Sequence, residues 1–167
     1  MPLENIIQPD FIQVSDNLRL RKYDGNYETA LEGYRDPYVY QNSEGIFDEA
    51  KRPDLSNVEA MFNNLDRVGE AYFIEVLKDG EYVSVGDVTV KAENPPIAIW
   101  YAEYRGAGIG TAVMKTVIQR LKELGYDRVT GSVVYRWNAP SLHMHQKLGF
   151  RIVSEDEKEY ILELKLK

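Results

Sequence analysis

Apolar and polar positions recur with two different periods along this chain, and the changes of period mark its elements. Leu18-Arg19-Leu20-Arg21 alternates with period two and predicts a short strand. Residues 1–16, which include Pro2 and Pro9, read as an arm leading into it. Asp24 is placed to cap a helix through Tyr27, Ala30 and Leu31 that stops near Gly33. Residues 34–54 carry Tyr34, Tyr38 and Tyr40 among acidic side chains and show no period. A structureless stretch of about twenty residues is unusual inside a compact domain unless it binds something.

Helical spacing then returns at Val58, Met61, Phe62 and Leu65, with Gly69 as a stop. Ala71 to Leu77 and Tyr82 to Val90 read as strands, joined through Lys78-Asp79-Gly80-Glu81, where Asp-Gly signals a tight hairpin. Gly86 interrupts the second strand as a bulge or a point of close approach. Asn94-Pro95-Pro96 turns the chain into the apolar run Ile97 to Tyr101. Ile109, Val113, Val117, Leu121 and Leu124 predict an amphipathic helix closed by Gly125. Arg128 to Val134 follows as a strand. A short helix capped by Asn138, with Pro140 in its first turn, ends at Gly149. Phe150 to Val153 and Tyr160 to Leu166 close the chain as a strand pair around the charged turn Ser154 to Glu159. With no repeat and no linker, residues 1–167 read as one α/β (α+β) domain.

Composition narrows the chemistry. The 167 residues include no cysteine, which excludes disulfides and thiolate catalysis, and only His143 and His145 as histidines, so no metal site is expected. No apolar run approaches the roughly 20 residues of a membrane span, and a cytoplasmic protein is expected. The net charge of −7 is uneven: residues 1–96 hold nine Lys/Arg against nineteen Asp/Glu, residues 97–167 eleven against eight. An acidic front half argues against nucleic acid as partner and favours a cationic one.

The strand Ile97 to Tyr101, the loop Tyr104-Arg105-Gly106-Ala107-Gly108-Ile109-Gly110-Thr111 and the helix after it form a unit built for an anion. The first N–H groups of a helix lack partners and sit at its positive end, and glycine lets a ligand approach the backbone. A P-loop would close with Gly-Lys-Ser/Thr, which is absent. A dinucleotide fold would carry a carboxylate at the end of the next strand, whereas Asp127 stands at its start.

Beyond that strand lies Asn138-Ala139-Pro140-Ser141-Leu142-His143-Met144-His145-Gln146-Lys147-Leu148-Gly149-Phe150. The two motifs together resemble the GCN5-related N-acetyltransferase (GNAT) family. Its acyl-CoA loop, Arg/Gln-x-x-Gly-x-Gly/Ala, is matched by Arg105, Gly108 and Gly110. Its later signature is matched by Asn138, Ser141, Gly149 and Phe150, with His145 where the family usually has tyrosine. Glu103-Tyr104-Arg105-Gly106 looks most like the branch that includes ribosomal-protein alanine N-acetyltransferases and some drug acetyltransferases.

The resemblance implies a mixed, mostly antiparallel twisted sheet of about six or seven strands flanked by about four helices. It implies acetyl-CoA as cosubstrate, with the amides of Arg105, Gly106, Ala107, Gly108, Ile109, Gly110 and Thr111 holding the pyrophosphate. Ile99, Trp100 and Tyr101 would pair with the pantetheine arm through their backbone, and Asn138 and Ser141 would lie beside it. The acceptor would be a primary amine, either a small cation or a peptide N-terminus, held by Tyr38, Tyr40, Glu44, Asp48 and Glu49. An amine of pKa ~10.4 is neutral in only about one molecule in 10³ to 10⁴ at pH 7, so a base is needed. Glu103 is the first candidate and Asp87 the second.

His145, about a quarter protonated at pH 7 at its reference pKa, would protonate the departing thiolate. If it merely packs, Tyr135, Tyr101 or solvent would do so. The missing tyrosine leaves a non-catalytic acyl-CoA-binding domain as the alternative, and a nucleotide-binding module as a third. Many relatives form homodimers.

Overall fold

The computed structural model describes residues 5–167. Five strands form one antiparallel sheet in the order β1-β2-β3-β4-β5: β1 Phe11–Ser15, β2 Leu18–Lys22, β3 Glu70–Lys78, β4 Glu81–Val90 and β5 Ile97–Ile99. β6 Arg128–Tyr135, β7 Arg151–Glu155 and β8 Glu159–Lys165 form a second antiparallel sheet, ordered β6-β8-β7. The helices are α1 Leu31–Tyr34, α2 Pro37–Glu44, α3 Leu55–Val68, α4 Ile109–Glu123 and α5 Ala139–Lys147.

The expected arm is corrected by β1, which pairs Phe11 with Arg21; the first four residues of that arm lie outside the described residues. The expected α/β fold on a mostly antiparallel sheet is what forms, and among the described residues its strands number eight, in two sheets. Where β4 runs out, Glu93 makes one parallel bridge to Thr130, and the Asn94 side chain accepts from Val133 N–H at 3.0 Å. Past that point the sheets part. A bulge assists: the β6–β8 register slips between Val129 and Ser132, where Gly131 has φ 63°.

α4 covers one face of the larger sheet, burying Val113, Met114, Val117 and Leu121 against Leu20, Ile74, Val85 and Val88. Val85 and Val88 share that face because β4 bulges beside Gly86, shifting the inward parity from odd to even positions. The opposite face packs α1 and α3 through Tyr34, Val58, Phe62 and Leu65 on Phe73 and Trp100. Gly33, expected as a helix stop, serves this contact: a Cβ there would lie 2.4 Å from Cγ of the Trp100 indole.

Residues 34–54 are less irregular than expected. Asp36 caps α2 by accepting from Tyr38 N–H, Pro37 fills the first turn, and Gly45 ends it at φ 68°. Asp24, expected as a cap, instead accepts from Asn26 N–H in the turn before Tyr27. No helix among the described residues is long and apolar enough to cross a membrane.

Candidate active site

Two cavities meet where β5 and β6 diverge. The first, about 250 Å³, is lined by the glycine loop, Ile97 to Ile99 of β5, Tyr38 and Val39 of α2, and Asn138, Ser141 and Met144 at α5. The second, about 360 Å³, is lined by Tyr34, Glu44, Met61, Lys91, Tyr135, His145 and Glu159, among others. Asn42, Ser43, Ile97, Ala98, Asn138 and Ser141 border both, so the cavities adjoin across the gap between the sheets.

The wall of the first cavity is largely backbone. Arg105 N–H and Ala112 N–H bond to Ala102 and Gly108 carbonyls, while the amides of residues 106 to 111 donate to no group among the described residues. Gly106 and Gly108 have φ 74° and 82°, and a Cβ at either would meet nothing within 4 Å, so the conformation and not crowding demands glycine there. α4 begins at Ile109 and adds its positive end to those donors.

β5 supplies the second half of that wall. Trp100 N–H donates to Val85 and Thr89 N–H to Pro96, so the polar groups of residues 96, 98 and 100 face β4. Those of Ile97 and Ile99 therefore face the gap. The Arg105 side chain turns back to the strand end. Its guanidinium donates to the carbonyls of Ile99 (3.1 Å) and Trp100 (2.7 Å) and stacks 4.0 Å above the Tyr38 ring. It ties the loop to the strand end.

Ile99, Arg105, Gly106, Gly108, Ile109, Gly110, Thr111, Asn138 and Ser141 all line this cavity. Trp100, Tyr101 and Ala107, expected with them, do not. Trp100 turns its indole into the opposite core, where Nε1 donates to Asp87 Oδ2 at 2.8 Å. Asn138 caps α5 by accepting from Ser141 N–H, which also seats it at the junction.

The second cavity is walled by side chains. Tyr34 Oη, at its wall, donates at 2.8 Å to the same Oδ2 of Asp87. Burial pushes the Asp87 carboxyl up to about 7, the Tyr34 and Trp100 bonds restrain that rise, and nearby Glu44 adds to it. Asp87 is 2% exposed and does not line the cavity, so Tyr34 stands between it and any ligand. Glu44 is solvent-accessible as a residue, yet its carboxylate sits among cavity walls and crowding raises its pKa. Burial raises the Tyr135 phenol too, with Glu159 and Glu44 adding to it, so Tyr135 keeps its proton.

His145 is 5% exposed and packs edge-on against Phe150. Its Nδ1 lies 2.7 Å from the Ser141 carbonyl, an acceptor, so Nδ1 carries hydrogen and a neutral ring leaves Nε2 as a lone pair. Burial lowers its pKa, against the Ser141 bond. The expectation that His145 rests as a proton donor is therefore corrected: desolvation keeps it neutral and its one N–H is spent.

Glu103 is also displaced from its expected role. It sits on the exposed 3-10 turn Ala102–Tyr104 and lines neither cavity. Of the expected acceptor contacts, Glu44 borders the second cavity and Tyr38 the first. Tyr40 is buried, Asp48 caps a 3-10 turn at Ala50, and Glu49 lies 3.7 Å from Arg52. Lys91 and Glu159 were not expected here, and Tyr34 only as part of the stretch 34–54. A carboxylate within an apolar strand needs buried donors, which is the one signal that could have pointed to Tyr34.

The sequence profile described as the Acetyltransferase (GNAT) family matches residues 28–150. The chain belongs to the GNAT family. No curated protein sequence matches it. Among solved structures, a domain from Methanocaldococcus jannaschii superposes with TM-score 0.74 at 21% identity, covering 89% of this chain and 97% of that one. The GNAT-family acetyltransferase from Bacillus anthracis gives 0.68 at 19%, covering 93% and 98%. The microcin C7 self-immunity acetyltransferase MccE, in complex with acetyl-CoA and AMP, gives 0.66 at 17%, covering 95% and 97%. These likenesses establish the GNAT fold. Among the described residues no group of three His, Cys, Asp or Glu is disposed to hold a metal.

Proposed function

We propose that this GNAT protein is an N-acetyltransferase that moves an acetyl group from acetyl-CoA to a primary amine. The observation that carries the reading is the pair of adjoining cavities, one with a backbone anion cradle and one with acidic and aromatic side chains. In this reading the amides of residues 106–111 hold the pyrophosphate, and the backbone groups of Ile97 and the N–H of Ile99 pair with the pantetheine arm, the Ile99 carbonyl being held by Arg105. The thioester then reaches the junction bordered by Ala98, Asn138 and Ser141. MccE, of the same fold, binds acetyl-CoA, which supports the cosubstrate.

The amine approaches from the second cavity, where Glu44 and Glu159 favour an ammonium group and Tyr34 and Tyr135 offer aromatic faces. The acceptor is a small cationic amine or a peptide N-terminus, the latter being what the likeness to the ribosomal-protein alanine branch implies.

Thermal shifts with coenzyme A, acetyl-CoA, ATP and NAD, followed by thiol release across a panel of amines and peptides, test this. Protection by coenzyme A with amine-dependent thiol release is the expected result. Coenzyme A protection with no release from any amine would favour the non-catalytic acyl-CoA binder. Protection by ATP or NAD alone would contradict both.

A further inference from the structure

Three features of the second cavity meet at one atom. The Nδ1–H of His145 is committed to the Ser141 carbonyl at 2.7 Å, which orients the ring and leaves Nε2 as the reactive nitrogen. Nε2 has no hydrogen-bond partner among the described residues, and it is not one of their sealed unpartnered side-chain atoms, which are Tyr23 Oη and Ser132 Oγ. His145 borders the second cavity alone, while Met144 beside it borders only the first and Ser141, one turn earlier, borders both. The imidazole thus stands on the amine's side of the junction and not on the sulfur's.

Resting on the acetyltransferase reading above, we infer that His145 is the proton acceptor of the reaction, its Nε2 taking the proton from the attacking amine nitrogen. The free amine forms the N–C bond to the thioester carbonyl, which acidifies its N–H; that proton passes to Nε2. The C–S bond then breaks with its electron pair going to sulfur. The imidazolium returns its proton to solvent through the cavity, and the thiolate takes one from solvent, so the reaction consumes and produces no net proton from the free amine.

The other ionisable groups around this cavity are Tyr34 of α1, Glu44 of α2, Lys91 after β4, Tyr135 of β6 and Glu159 of β8. Tyr34 and Tyr135 hold their protons, and Tyr34's hydrogen is given to Asp87. Glu44 and Glu159 would stabilise the imidazolium as it forms. Burial already keeps the ring neutral near pH 7, ready to accept.

The test combines a tautomer measurement with a pH profile. With only two histidines, imidazole nitrogen shifts in 15N-labelled protein are separable, and exposed His143 serves as control. A neutral Nδ1–H tautomer at His145 is expected; an Nε2–H tautomer, or a ring still charged at pH 7.5, would overturn the inference. His145→Gln removes the base and keeps a polar side chain of similar length. The inference expects kcat to fall about 100-fold or more, with the KM for acetyl-CoA within twofold, and the acidic limb of the kcat–pH profile lost. His143→Gln should behave as wild type.

An active His145→Gln that retains the acidic limb would overturn the assignment and leave the acetyltransferase reading standing. Wild type with no amine-dependent thiol release would overturn that reading itself, while the tautomer measurement still judges His145.

Discussion

The two cavities are built by opposite means. The wall that faces the proposed coenzyme is largely backbone: consecutive amides of residues 106–111 and the edge of β5 come from one continuous stretch of chain, with side chains of α2 and α5 flanking them. The wall that faces the proposed acceptor is side chains gathered from α1, α2, α3, β6, α5 and β8, from Tyr34 to Glu159 along the chain. A backbone cradle depends on local φ and on glycine, so it leaves a motif. A side-chain pocket depends on which distant segments a fold brings together, so it leaves none.

The largest expected break of this contrast is Gly108→Val. A β-branched residue at φ 82° is strained and would project into the open space proposed for the pyrophosphate. Acetyl-CoA affinity by calorimetry should fall about 100-fold or more, and amine specificity among whatever activity remains should be unchanged.

Next comes Gly33→Ala, which strikes the structure the two regions share. Its methyl would overlap the Trp100 indole, packed behind β5, and a rigid ring in a filled core has little room to yield. Urea unfolding should show a loss of about 1–3 kcal/mol.

Glu44→Gln should sharpen the contrast from the other side. The KM for a cationic amine is expected to rise about tenfold, the scale of one hydrogen bond to a charged group, with the KM for acetyl-CoA unmoved. Equal changes in both would mean the cavities do not divide the substrates.

The smallest effect is on pH-dependent stability. The Asp87 carboxyl titrates at about 7 in the folded chain against 3.8 ordinarily, so between those values the folded state binds the extra proton. Its contribution is present at low pH and lost as pH rises through about 7. Melting temperature should fall by a few degrees more between pH 5.5 and 8 in wild type than in Asp87→Asn, as scanning calorimetry would show. Parallel curves would mean that Asp87 is ionised throughout.

The same division explains what could be read from the sequence. The Asp79-Gly80 hairpin forms with both residues at positive φ, α4 spans its apolar stripe, and Asn138 caps α5. Each rests on local chemistry. α2 carried equally local signals, Asp36-Pro37 at its start and Gly45 at its end, and they were obscured because its apolar spacing is weak. The strand β1 was hidden by the prolines before it.

Trp100 illustrates the remaining limit. The resemblance implied that its backbone pairs with the pantetheine arm, but its N–H donates to Val85 and its indole turns to the other face to meet Asp87 and Gly33. The role proposed for His145 could not be read either, because the committed Nδ1 and the unpartnered Nε2 exist only once α5 is formed and packed on Phe150.

The division of labour between the cavities is most directly tested by titrating 15N-labelled protein with coenzyme A and following every amide. The largest shifts should fall on residues 106–111 and on Ile97 and Ile99, with Lys91, Tyr135 and Glu159 little moved. Shifts centred on those last three, or none along the glycine loop, would contradict it.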